Sequence, residues 1–556
     1  MRAAAAQCQH LPDRPYRSLF VHLNALPHEP RTGVDGSDAS IVSSHSQGQS
    51  MRKHLRKIFA IPAFAATIAS ASIPPASDPD TQAWWKITTD LSDDTMEGRD
   101  TGSAGYDRAA KVVAAKFKAA GLTPLGEKDG WFQSVSMNET KVARAEVSIG
   151  GRPLKFLYDF TVSPAPAMPR RIEALLAYRG YCDAAALGNV RGKLVLCHGA
   201  TRAGLPTAAQ RDSAVKAAGG IGIITIADPG FTVEPPRWPF AYARDVSLTS
   251  ATRNTDSFLR LRLNADALAT VIGGGHDAAK LIVKGSKGQP LPNFDPADAF
   301  RAGFTITTRA LTSPNVIGFL PGTDPALADQ AIVLSAHLDG YGYGTPVNGD
   351  RLYNGTLDDA AYVALLIRLA ERRHGKGFRR PVIFAAWTGE EKGLLGSIAF
   401  LRAPTFPRSR IAANINLDQL RPIFPLDLLT IHALDDTSLG DDARAVAAVM
   451  GIAVQHDPEP ERNLLRRSDQ WNFIAAGIPA TAFVFGYRPG SESERIYRQW
   501  YTSGYHKPQD DLDQRMDWKA AADFNRFFYT LVGRVADKDA PPSWKQGSAL
   551  NPSSRP

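Results

Sequence analysis

Residues 331–370 read AIVLSAHLDGYGYGTPVNGDRLYNGTLDDAAYVALLIRLA, and the punctuation of that stretch decides the fold. Ala331 to Ala336 is an apolar run without polar alternation, the mark of a strand buried on both faces of a parallel sheet. It ends in His337-Leu338-Asp339 and passes through a Gly- and Tyr-rich loop to Leu357-Asp358-Asp359. Helical spacing follows from Ala361 to Leu369. In parallel sheets ligands gather beyond the carboxyl ends of the strands, which is where His337 falls. A neutral imidazole beside a carboxylate, with an acidic pair opening the next helix, is how divalent metal sites are built. Taken alone, the segment also reads as a His and a few Asp residues in a polar loop. Three later segments decide for the metal.

The first is RPVIFAAW (Arg380 to Trp387), a second buried strand that ends in Thr388-Gly389-Glu390-Glu391 and leads into a helix from Gly393 to Leu401. Two adjacent carboxylates at a strand end can divide labour, one binding metal while its neighbour takes a proton. Alone, the pair would read as compensation of a helix dipole. The second is IAANINL (Ile411 to Leu417), a third strand, ending in Asp418. The third lies beyond a fourth strand, Ala480 to Phe485, where Tyr505-His506-Lys507-Pro508 holds a histidine in a turn. His337, Asp358, Glu391, Asp418 and His506 thus each sit just past a strand or in a loop. Two nitrogens and three carboxylates, one of them shared, complete a set for two zinc ions roughly 3.5–4 Å apart. Glu390 is left over as a base.

These residues resemble the co-catalytic di-zinc aminopeptidases, of the same clan as glutamate carboxypeptidase and the transferrin receptor ectodomain. The matching elements are HLD, NGTLDDA, TGEEKGLLGS, NLD, RSDQWNFIAAGIPA and YHKPQD, in that order over about 200 residues, with EGRDTGSAG ahead of them. The resemblance covers the chain from Trp84 to about Val535. It implies a zinc exopeptidase fold: α/β, with a mixed, mostly parallel central sheet flanked by helices. His337 and Asp418 would bind one zinc ion, Glu391 and His506 the other, and Asp358 would bridge them. Glu390 would be the general base and then the acid for the leaving amine, and Asp339 would hydrogen-bond the far nitrogen of His337. The chain departs from the family pattern at Ala360-Ala361-Tyr362, where small residues are usual. It departs again at Ser468-Asp469-Gln470, where Ser-Asp-His is often found.

The rest of the chain frames this core. At 556 residues, two or three domains are expected. Hydrophobic content of 44% and charged content of 22% describe a globular protein, and no apolar run is long enough to span a membrane, so no stable membrane anchor is expected. Residues 1–50 have little apolar periodicity and read as an over-extended, disordered leader. From Met51 the text MRKHLRKIFAIPAFAATIASAS has a basic start, an apolar middle and an Ala69-Ser70-Ala71 exit, the layout of a signal peptide over residues 51–71. A secreted or periplasmic protein follows. Removal of residues 1–71 takes away eight basic and four acidic residues, so the net charge falls from +8 to +4, and no nucleic-acid partner is inferred.

A catalytic domain is expected over 72–141, its N-terminal part, and 301–537, its metal-binding part. Between them, residues 142–300 form short strand-like runs separated by Gly and Pro. GNVRGKLVLC and AAGGIGIITIADP within that stretch resemble an inserted protease-associated domain. Cys182 and Cys197 lie there too, and an oxidising compartment would let them pair. The Pro- and Ser-rich tail over 538–556 reads as disordered. There is no Gly-x-Ser-x-Gly elbow, no His-Glu-x-x-His helix and no phosphate-binding Gly-x-x-x-x-Gly-Lys-Ser/Thr loop. Arg466-Arg467 reads as a solvated pair, with recognition of a substrate carboxylate as the minor alternative. The expected activity is removal of N-terminal residues from peptides. A carboxypeptidase or dipeptidase on the same scaffold, a single-zinc glutaminyl cyclase, and an inactive receptor-like binding module are the rivals.

Overall fold

The structure is a computed structural model and describes residue 74 and residues 77–554, apart from 201, 203, 229–237, 253 and 254. The leader and signal peptide expected over residues 1–71 lie outside the described residues. All described residues fall in one compact unit.

Its centre is a ten-stranded mixed sheet. Along its main path the order is Ala480–Thr481, Ile411–Asn416, Ala331–His337, Val382–Trp387, Phe300–Leu320, Phe132–Ile149 and Arg152–Leu154. The first four strands are mutually parallel, and Phe300–Leu320 and Phe132–Ile149 add on antiparallel. Every residue of Ala331–His337 and of Val382–Trp387 is buried. The twofold period of a strand explains how. Ile332, Leu334 and Ala336, with Val382, Phe384 and Ala386, face one apolar cluster. Ala331 and Val333, with Ile383, Ala385 and Trp387, face another on the opposite side.

The first cluster takes in helices Pro79–Ser92, Ala104–Ala119, Ala361–Arg373 and Trp518–Asp537. Ser103 caps the second of these by accepting from the Tyr106 amide at 3.1 Å. Tyr362, one of the departures from the family pattern, is buried edge-on against Phe524 behind the sheet. On the other face lie Leu395–Arg402 and Gln470–Ala475. Neighbouring parallel strands are joined through helices, as parallel pairing requires. The three strand ends that carry His337, Glu390-Glu391 and Asp418 therefore lie side by side.

The strand expected from Ala480 to Phe485 is split. Ala480–Thr481 stays in the large sheet, whereas Phe483–Phe485 turns away to pair antiparallel with Leu428–Ile431 in a small sheet. The reason is apolar: Phe483 and Phe485 pack edge-on or tilted against Phe524 of the last long helix.

Within residues 142–300 a second, six-stranded sheet forms, ordered Asn293–Phe294, Leu176–Arg179, Leu194–His198, Gly222–Ile226, Leu259–Leu263 and Phe160–Val162. Its four middle strands are parallel, with helix Ala208–Ala217 leading into Gly222–Ile226. The ends of the stretch at 142 and 300 lie not in linkers but on the long paired strands Phe132–Ile149 and Phe300–Leu320. Three segments of the stretch belong to the large sheet instead: Arg152–Leu154 and Arg244–Leu248 pair with Phe132–Ile149, and Arg171–Ala174 pairs with Phe300–Leu320.

Cys182 and Cys197 are joined in a disulfide with their Cα atoms 5.4 Å apart. Alkylation of denatured, unreduced protein is therefore expected to label neither position; a labelled Cys182 or Cys197 would count against the bridge. The tail departs from its expected disorder. The Trp544 indole donates to the Gly477 carbonyl at 2.9 Å, Arg380 donates to the Asp539 carbonyl at 2.8 Å, and Ser548 donates to Asp436 at 2.7 Å. One tryptophan with a hydrogen-bonded indole outweighs the Pro- and Ser-rich composition around it. Among the described residues no helix is long and apolar enough to cross a membrane.

Candidate metal centre

Three parallel strand ends and two loops bring the predicted residues together. His337 closes its strand; Glu390 and Glu391 follow Trp387; Asp418 follows the third strand; Asp358 comes from the irregular π-helical turn Thr356–Ala360 in the loop's approach to helix Ala361–Arg373, and His506 from a turn. The oxygen and nitrogen atoms fall into three groups, each within 4.8 Å: His337 with Glu390 and Glu391, His337 with Asp359 and Asp418, and Asp358 with Glu391 and His506.

Asp358 is the joint between them. Its Oδ1 lies 3.3 Å from His337 Nε2 and its Oδ2 lies 3.5 Å from His506 Nε2. The loop that carries it is fixed from behind by Asp510, whose carboxylate accepts from the amides of Leu357 at 2.9 Å and Asp358 at 3.0 Å. Buried Arg421 approaches Asp358 Oδ2 at 3.4 Å and donates to the Leu357 carbonyl at 3.0 Å.

The role expected of the Asp339 carboxylate falls to its backbone. His337 Nδ1 pairs with the Asp339 carbonyl at 3.0 Å, while the carboxylate stands 3.8 Å away. That carboxylate is turned aside because it accepts from the amides of Glu390 at 3.0 Å and Glu391 at 3.3 Å and from the Thr101 hydroxyl at 2.9 Å. It thus orients the Glu390-Glu391 turn, and Gly389, at φ +66°, supplies the left-handed step that enters it.

Several participants escaped the sequence reading. Asp359 accepts from the His337 amide at 3.1 Å, bracing the strand end. The Tyr341 hydroxyl donates to Glu391 and lies 3.2 Å from His506 Nε2. Tyr242, from within residues 142–300, places its hydroxyl 2.9 Å from His506 Nδ1. No short motif marks Tyr341 or Tyr242, which reach the site through tertiary contacts, whereas Asp359 stands inside NGTLDDA with no role assigned to it there. The second family departure has a local outcome: Gln470 accepts from Asn416 at 3.0 Å, and Asp469 accepts from the Ser397 hydroxyl.

The electrostatics ask for a cation. Burial is the largest influence on the carboxyl groups. With added repulsion from neighbouring carboxylates, it raises Glu390 and Asp359 well above the ordinary range, raises Asp418, and pushes Glu391 up to about 7. Burial acts on Asp358 in the same direction, but Arg421, His337 and His506 outweigh it and hold that carboxyl low. Burial alone would depress His337, yet Asp359 and the other carboxylates raise it well above the usual range. Asp358 Oδ2, Asp359 Oδ1 and Glu391 Oε1 are buried and accept no hydrogen bond. Orphaned acceptors of this kind, together with two imidazoles and no thiolate, fit zinc. A divalent ion would also relieve the crowding of acids.

Comparison with known proteins agrees. Residues 315–532 match the family model of Peptidase family M28. A probable zinc metalloprotease of Pyrenophora teres f. teres is 25% identical over 238 residues, and the alkaline phosphatase isozyme conversion protein of Escherichia coli is 29% identical over 211. These alignments cover 41% and 34% of this chain, and the chain spans 50% and 61% of the two relatives' lengths. Among solved structures, the Bacillus subtilis zinc aminopeptidase aligns at TM-score 0.57 and 17% identity, covering 83% of this chain and 96% of that one. The Aneurinibacillus sp. aminopeptidase aligns at 0.54 and 18%, covering 83% and 95%. At such identities the likeness shows the fold: mixed α/β, a large sheet flanked by helices.

Proposed function

Because residues 315–532 match the family model of Peptidase family M28, we propose that the chain is a zinc exopeptidase that removes N-terminal residues from peptides. In this reading His337 and Asp418 would hold one zinc ion, Glu391 and His506 would hold a second, and Asp358 would be shared between them. The observation that carries it is the Asp358 carboxylate, whose two oxygens face two different histidines at 3.3 and 3.5 Å. Two zinc ions there supply Lewis acidity toward a peptide carbonyl and toward water.

The chain's own residues do the rest. Glu390 groups with His337 and Glu391; in this reading the five ligands already make up both sets, which leaves Glu390 as the base. Its buried, proton-attracting carboxylate takes a proton from the attacking water at Oε and returns it to the leaving nitrogen. Asp339 keeps Glu390 and Glu391 in register through their amides. His337 offers its Nε2 lone pair because Nδ1–H donates to the Asp339 carbonyl.

Residues 142–300 would be a protease-associated insert. The Cys182–Cys197 bridge supports a secreted or periplasmic location, since such bonds persist in oxidising compartments. The purified protein should release chromophore from substrates with a free amino terminus and spare the same compounds when N-blocked. Equal cleavage of both, or release only from the carboxyl end of peptides, would reject the aminopeptidase direction.

A further inference from the structure

The two histidines of the centre are held by different means. His337 finds its Nδ1 partner two residues along its own strand end, in the Asp339 carbonyl. His506 finds its partner 264 positions away, in the hydroxyl of Tyr242 at 2.9 Å. Resting on the two-ion reading above, we propose that Tyr242 is a positioning residue for His506, so that the His506 half of the metal centre depends on the Tyr242 hydroxyl while the His337 half does not.

Chemistry and geometry support this together. A ligating histidine is oriented by whatever its other ring nitrogen bonds to. If Nδ1–H donates to the Tyr242 oxygen, the Nε2 lone pair faces Asp358 Oδ2 at 3.5 Å and Glu391 Oε2 at 3.9 Å. The Tyr242 ring is stacked on that of Tyr341, with centroids 5.5 Å apart and planes 20° from parallel. Tyr341 in turn reaches Glu391 and His506 Nε2 with its hydroxyl. One stacked pair therefore presents a hydroxyl to each nitrogen of the same imidazole. Tyr505 covers the ring with centroids 3.5 Å apart.

Tyr242 is itself anchored. Lys392, next to Glu391, donates to the Ala241 carbonyl at 3.3 Å, and Pro239 forms an antiparallel bridge with Gly344 in the loop after His337. Two residues later Arg244 inserts its buried guanidinium between Glu139 and Asp100 and donates to the Thr101 carbonyl at 3.1 Å. Thr101 donates to Asp339, so the segment and the catalytic turn share one hydrogen-bonded frame.

The test is zinc titration of the metal-free full chain against a chromogenic chelator. Tyr242→Phe keeps the ring and its stacking but removes the oxygen. One of the two zinc sites should then weaken about 10–100-fold, the usual cost of losing such a partner, and the other should not change. Phe240→Ala, in the same segment and 39% exposed, should leave both sites as in the parent chain. Two unchanged sites in Tyr242→Phe, two equally weakened ones, or equal weakening by Phe240→Ala would overturn the proposal. A parent chain that binds fewer than two zinc ions defeats the two-ion reading rather than this one. Histidine 15N spectra of the metal-free parent chain at alkaline pH then decide: an Nδ1–H tautomer at His506 is expected, and an Nε2–H tautomer refutes it.

Discussion

Glu390→Gln is expected to keep its zinc and lose its turnover. Glutamine preserves the shape of the side chain and its hydrogen bonds but carries no base, so kcat should fall by about 10²–10⁴-fold while KM barely moves. Its neighbour should behave differently. Glu391 groups with Asp358 and His506 and has one buried oxygen that accepts no hydrogen bond. Glu391→Ala should therefore shed bound metal and activity together. Zinc content and steady-state kinetics on both variants separate the roles. A Glu390→Gln protein with near-normal kcat, or one that has lost its zinc, would reverse the assignment.

Asp358→Ala should have the widest consequences, because that carboxylate faces both histidines and a buried arginine. In the proposed two-ion centre, loss of the bridge would leave neither zinc ion its full set of ligands, so bound zinc should fall well below that of the parent chain and peptidase activity with it. The fold should feel the change even without metal. Arg421 is 1% exposed and loses its nearest carboxylate at 3.4 Å. Breaking a buried ion pair by removing one partner costs about 3–5 kcal/mol, because the remaining charge is left uncompensated. Urea unfolding of the metal-free variant against the metal-free parent chain measures this directly. A variant with unchanged midpoint would show that Asp510 and the carbonyls around Arg421 suffice for it.

Much of the centre was legible in the chain. His337, Glu390-Glu391 and Asp418 follow three apolar runs, and runs buried on both faces read as parallel strands without any structure. Asp358 and His506 were legible through their motifs, NGTLDDA and YHKPQD. Less visible was where a strand would break: the apolar text from Ala480 to Phe485 is continuous, yet Phe483 and Phe485 leave the large sheet to reach Phe524. The tail misled through its composition, since Trp544 and Ser548 find fixed partners that no local pattern announces.

What the sequence by itself determined, then, is the set of strands that place the candidate ligands and the chemical kinds of those residues. Both are local properties: apolar periodicity and residue type act within a few positions of the chain. Only the tertiary structure decided how the ligands are held. The Asp339 carbonyl, not its carboxylate, meets His337; Asp359 braces the His337 amide; Tyr242 arrives at His506 from 264 positions away. Such partners are chosen by distance and direction in space. A hydrogen bond needs about 3 Å and near-linear geometry, and sequence spacing carries neither across a chain folded through two sheets.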